Sequence, residues 1–275
     1  MATKAKSSTK KTRATVSTAA KKPSTTVASR STVNSASFTD WLTGGKSVFT
    51  PKTALGALLA ELVGTFILAG AVIALQGSVL LVAFALTVAT LATITLSGGH
   101  LNPAISFAAW VTRRISGWRA LGYIVAQVLG GMLALLVAHA LLPIQAADQT
   151  TGAAAQIFQI PALTAGKEWY IFFAQMLGTA VFAFAVGSAA VYRKEKLAAA
   201  FVVGFGLYVG LLFAGSFGVL NPAVALAVGG LKWSVWPLAV FIVAPLVGAA
   251  IGMGLHKLLN ADVVAVDELA RANRD

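Results

Sequence analysis

Two asparagines stand in the same four-residue word, L-N-P-A at 101–104 and again at 220–223, each inside an otherwise apolar tract. Asn is a favoured N-cap, Pro suits the first helical position because its missing N–H has no partner there, and Ala propagates the helix. Asn102, Pro103 and Ala104, and likewise Asn221, Pro222 and Ala223, therefore predict helix starts, with apolar stretches of about half a span behind them at 103–112 and 222–230. Glu61 is the one acid in the interior of an apolar tract, and intramembrane carboxylates are functional candidates by default. His, Asp and Glu form no cluster with metal spacing, and there is no Ser, His and Asp constellation or phosphate-cradling motif. With no cysteine the chain has no thiolate or disulfide chemistry. No enzyme activity, cofactor or metal is expected.

The elements that must position these residues are membrane helices. Of 275 residues 57% are hydrophobic and 11% charged, and the mean hydropathy is +0.81, well above a soluble domain. Six tracts approach or exceed the ~20 residues a helix needs to cross the hydrocarbon core: 53–75, 78–96, 119–141, 168–190, 197–214 and 234–257. The alternating ten-residue strands of a β-barrel are absent. Residues 1–50 are Lys, Ser, Thr and Ala with little to bury, which predicts a disordered tail. The tail has no apolar stretch of a secretory signal. Its lack of acids before Asp40 leaves a transit peptide open, with a solvated basic arm favoured over it and over a nucleic-acid-binding tail.

Nineteen of the 21 basic residues fall before the first tract, after the first half-span, between the fourth and fifth tracts, or at or after Lys257; only Lys167 and Lys232 lie elsewhere. With six spans those four segments share one face. The positive-inside rule then puts both termini in the cytoplasm of a multi-pass protein of the cell membrane. The net charge of +12 reads as topology and attraction to anionic lipids. The membrane-embedded part is 53–258, with a C-terminal cytoplasmic tail over 259–275.

The chain also repeats itself. A-E-L-V-G-T at 60–65 matches A-Q-M-L-G-T at 174–179, Asn102 matches Asn221, and I-V-A-Q-V-L-G-G at 124–131 matches I-V-A-P-L-V-G-A at 242–249, at offsets of 114, 119 and 118 residues. Each half, 53–141 and 168–258, holds three spans. Three is odd, so the second half enters from the opposite side, giving an inverted repeat. The two half-helices can then meet near the midplane with their positive N-terminal ends together. The Asn amides would offer N–H donors, and the free carbonyls of the descending Gly-containing loops acceptors, to a neutral solute in single file, with a positive barrier to protons and cations. Irregular backbone at that depth is tolerated only where protein buries it or water lines it.

On A-E-L-V-G-T, S-G-G-H-L-N-P-A at 97–104, Y-I-V-A-Q-V-L-G-G at 123–131 and the second N-P-A at 221–223, residues 53–258 resemble the aquaporin, or major intrinsic protein, family. The resemblance implies an all-α fold of six spans and two re-entrant half-helices, a homotetramer with one pore per subunit, and channel function. It also implies that Glu61 holds loop backbone amides, that Gln175 is its weaker counterpart where an acid is usual, and that Gly98, Gly99 and His100 make contacts at the pore edge, a satisfied buried histidine being the equal alternative for His100. Gln127 is expected to bond a loop, and His139 and His256 are read as structural.

The family usually follows the second N-P-A with arginine, and here stands Val224. A guanidinium would narrow the pore and repel cations; valine does neither. Gly218 is the other loop-borne filter candidate. From the second tract the candidate is Phe84 by motif or Val82 by counting back from Asn102, and from the fifth Leu211 by motif or Val209 by counting. Both re-entrant loops look shortened alike, at 17 residues from Ala85 to Asn102 and from Gly204 to Asn221. The expectation is a passive channel for water and small neutral solutes such as glycerol or ammonia, looser than a strict water channel. The alternative is a closed-pore scaffold or junctional protein acting through its basic tail. A coupled transporter lacks the extra carboxylates it would need.

Overall fold

The computed structural model describes Met1 and residues 51–147, 157–190 and 195–272. The basic N-terminal segment read as a tail thus lies almost wholly outside the described residues. In chain order the helices are α1 (Pro51–Ala74), α2 (Val79–Thr93), α3 (Pro103–Val111), α4 (Gly117–Ala147), α5 (Glu168–Ala189), α6 (Lys196–Ala214), α7 (Pro222–Ala227), α8 (Val235–Leu238) and α9 (Ala244–Ala272), with no strand among the described residues. A π-turn, Ala239–Val243, joins α8 to α9. Pro245 just beyond it has no N–H to give the Phe241 carbonyl, and such a gap in the hydrogen-bond ladder is a common cause of a locally altered helix.

Five runs among the described residues are long and apolar enough to cross a membrane: α1, α4, α5, α6, and α8 continued through α9. The chain is a multi-pass membrane protein. The tract at 78–96 is the exception to the six expected spans. Its helix α2 has 15 residues, about 22 Å at 1.5 Å per residue against a core of ~30 Å. It stops at Thr93, whose hydroxyl bonds back to the Ala89 carbonyl, and three residues of turn lead to Ser97 and to Gly98 and Gly99, both at positive φ. At the other end of the chain α9 runs on to Ala272, so most of the segment read as a C-terminal tail is helical.

The helices are apolar outside as well as inside, as a bilayer requires. On α1 the large side chains Leu55, Leu59, Val63 and Ile67 are exposed, whereas Ala57, Ala60, Glu61, Thr65 and Ala69 are buried. Small and polar residues inside let backbones approach and bond. The sequence repeat reappears as packing. α1 pairs with α4 as α5 pairs with α9, and a Cβ on Gly130 would strike the Leu62 carbonyl just as one on Gly248 would strike that of Met176. α2 packs against α6 across the pseudo-two-fold, and each half-helix leans on the other half's last span, α3 on α9 and α7 on α4.

At one end of the bundle Lys257 Nζ donates to the Thr112 carbonyl at 3.0 Å, and Arg114 donates to that of Gly187 at 3.3 Å, tying together the ends of α3, α5 and α9. This is the end rich in basic residues. At the opposite end the segment 157–166 crosses between the halves, with the Ile160 N–H on the Val228 carbonyl at 3.0 Å.

Candidate functional site: the paired half-helix starts

Asn102 and Asn221 have extended backbones and cap α3 and α7 with their own side chains. Asn102 Oδ1 accepts from the Ala104 N–H at 2.8 Å, and Asn221 Oδ1 from the N–H groups of Ala223 at 3.0 Å and Val224 at 3.3 Å. Pro103 and Pro222 hold the first helical position. α3 ends one residue short of the expected stretch. α7 is clearly shorter, six residues to Ala227, because Gly229 turns away at φ 71°.

The other end of each amide crosses the pseudo-two-fold. Asn102 Nδ2 donates to the Leu220 carbonyl and Asn221 Nδ2 to the Leu101 carbonyl, both at 2.9 Å. The accepting leucines are themselves matched, at φ 50° and 57°, a left-handed conformation that costs a non-glycine residue on the order of 1–2 kcal/mol. What holds them there is burial and a socket. Both are fully buried, and a Cβ on Gly64 would collide with Leu101, as one on Gly178 would crowd Leu220. Those two glycines are the G of the repeated A-E-L-V-G-T and A-Q-M-L-G-T.

The loops before the asparagines are fixed from behind by unlike groups. Glu61, fully buried, accepts from the His100 N–H at 3.0 Å, the Leu101 N–H at 2.7 Å and Gln127 Nε2 at 2.7 Å. Gln127 Nε2 also reaches Ser106 Oγ at 2.8 Å, and that hydroxyl lies 3.1 Å from His100 Nδ1. Tyr123 donates to the Ser97 carbonyl at 2.7 Å and accepts from Arg119 Nε at 3.0 Å. In the second half Gln175 Oε1 accepts from the N–H groups of Val219 and Leu220 at 3.3 and 3.2 Å, while its Nε2 donates to the Phe217 carbonyl at 2.7 Å. Glu61 thus meets three donors, and Gln175 meets two donors and an acceptor. A carboxylate fits the first set and an amide the second.

Between the asparagines and the end of the bundle at 157–166 lies a cavity of about 260 Å³. Asn102, Asn221, His100, Val82, Leu211, Gly218 and Val224 line it. Phe84 and Val209 do not. Both are exposed on the outer surface, Phe84 with its ring edge-on to Phe205. Two residues turn an α-helix by ~200°, so Val82 and Phe84 cannot share a face, nor can Leu211 and Val209. The residue on the cavity wall is the one given by counting on α2, Val82, and the one given by motif on α6, Leu211. Gly98 and Gly99 are also outside the cavity wall; Gly99 packs against Thr90 and Thr93.

Much of the wall was not singled out in the sequence. Leu68 and Val72 on α1, Leu86 on α2, Phe182 on α5 and Leu207 on α6 supply its apolar sides. The repeat carried a signal for one pair, since Leu68 and Phe182 are 114 residues apart, like Glu61 and Gln175. Helical spacing carried another, Leu68–Val72–Gln76 and Leu207–Leu211. The Ser106, Tyr123 and Arg119 bonds were missed as well.

Residues 49–256 match the family model of the major intrinsic protein. The chain belongs to the major intrinsic protein family. Among curated relatives it is 32% identical over 184 residues to aquaporin TIP1-1 of Zea mays, covering 64% of this chain and 68% of that one. It is 30% identical over 233 residues to aquaporin Z of Photorhabdus laumondii, covering 76% of this chain and 99% of the relative. In fold it is similar to the aquaglyceroporin from Plasmodium falciparum, with a TM-score of 0.61 at 20% identity, over 78% of this chain and 99% of that one. This major intrinsic protein therefore shares its fold with a solved aquaglyceroporin over 78% of its own length, and carries Val224 directly after its second N-P-A.

Proposed function

We propose that the chain is a passive channel for water and small uncharged solutes, with one conduction path per subunit of a homotetramer in the cell membrane and both termini in the cytoplasm. The observation that carries this is the cavity that ends on Asn102 and Asn221, with a wall that is apolar apart from a few neutral or histidine side chains. Each Asn amide spends one N–H on the opposite loop, which leaves the second for a passing solute. The converging starts of α3 and α7 add a positive partial charge that disfavours protons and cations. Passage needs no catalytic group. The basic residues outside the bilayer favour the cytoplasmic placement of the end that carries them.

The filter we assign is Val82, Leu211, Gly218 and Val224, all on the cavity wall. It carries no fixed charge and no donor side chain, so molecules larger than water, glycerol or ammonia among them, should pass alongside it. The basic-tail scaffold is not favoured, because the relatives described above are aquaporins. The filter is tested by Val224→Arg in proteoliposomes. Glycerol permeability should fall more than water permeability; an equal fall in both, or none, would remove Val224 from the filter.

A further inference from the structure

Gly77, in the turn between α1 and α2, has φ 68°, and a Cβ placed on it would run into the ring of Phe158. The bare glycine is thus the seat of that ring. Phe158 belongs to the segment that crosses between the two halves, and it lines the cavity together with its neighbours Ile160 and Pro161. The segment is pinned on its far side, where the Ile160 N–H bonds the Val228 carbonyl at 3.0 Å just beyond α7. One ring is therefore held over the cavity by the turn of the first repeat on one side and by the half-helix end of the second on the other.

We propose that Phe158, seated on Gly77, is a specificity-determining residue that narrows the mouth of the path and takes over by bulk the sieving that an arginine at Val224 would give by size and charge. This rests on the channel reading above. The chemistry is that of a rigid ring with two side-chain torsions and no hydrogen-bonding group: it sorts molecules first by cross-section. Val82, Leu211 and Val224 on the same wall are apolar as well, and the polar side chains that line it besides the asparagines are Gln76, His100 and Ser216.

The test compares glycerol and water permeability of proteoliposomes carrying the full chain. Phe158→Ala should raise the glycerol-to-water ratio by roughly tenfold, the lower end of what a methylene-scale change in a pocket discriminates, and Phe158→Trp should lower it. Gly77→Ala, which pushes the ring off its seat, should move the ratio in the same sense as Phe158→Ala. An unchanged ratio in Phe158→Ala and Phe158→Trp, or loss of both permeabilities in Phe158→Ala while the wild type conducts, overturns the assignment and leaves the channel reading standing. A wild type no more permeable than empty vesicles removes both.

Discussion

Glu61 and Gln175 occupy the same place in the two repeats and do different work. Replacing Glu61 by Gln swaps one acceptor oxygen for an amide that faces donors only: the N–H groups of His100 and Leu101 and Nε2 of Gln127. Hydrogen bonds to charged groups contribute about 1.5–3 kcal/mol and an orphaned buried donor costs a similar amount, so Glu61→Gln should lower the thermal midpoint in detergent. Gln175→Glu should also lower it, although it copies the acid of the first repeat. Its carboxylate would face the Phe217 carbonyl, now served by Nε2 at 2.7 Å, and would bury a charge with only two backbone donors. A midpoint raised by Gln175→Glu would show that the amide is a weak substitute and not a match. The missing third donor traces to one residue: Gln127, which donates to Glu61, is Pro245 in the second repeat.

At the scale of elements, close backbone approach does the work that apolar burial does in a soluble core. Gly130 on Leu62 and Gly248 on Met176 are the same contact made twice, α1 on α4 and α5 on α9. Since the obstructing atoms are backbone carbonyls, Gly130→Ala and Gly248→Ala should each destabilise the detergent-solubilised protein by roughly 1–3 kcal/mol, the range of overpacking, seen as loss of thermal midpoint. A harmless substitution at either site would mean that the helices are less tightly apposed. The helix starts at Pro103 and Pro222 were legible in the sequence because capping is local chemistry. So was the pairing of halves, because it is written as matching words. The face that α2 turns inward was not legible. A shortened loop leaves a two-residue choice, two residues rotate a helix by ~200°, and so Phe84 and Val82 were equal candidates until packing separated them. Phe158 was hidden for another reason: it lies in an irregular segment with no period to read, and its partner Gly77 is 81 residues earlier.

For the whole molecule, the inverted repeat explains why one path is built from both halves. Each half supplies one capped asparagine, one left-handed leucine and the glycine under it, and each asparagine closes on the carbonyl of the other half's leucine. Neither half completes the centre alone. The apolar outer surface places the chain in a bilayer, and among the described residues no Asp, Glu, Lys or Arg lines the wall above the asparagines. The most direct test is stopped-flow light scattering on liposomes reconstituted with the full chain, under an osmotic gradient of an impermeant solute and then of glycerol. Faster shrinkage than empty vesicles in the first case and faster reswelling in the second are the predicted results. Rates indistinguishable from empty vesicles in both would contradict the account.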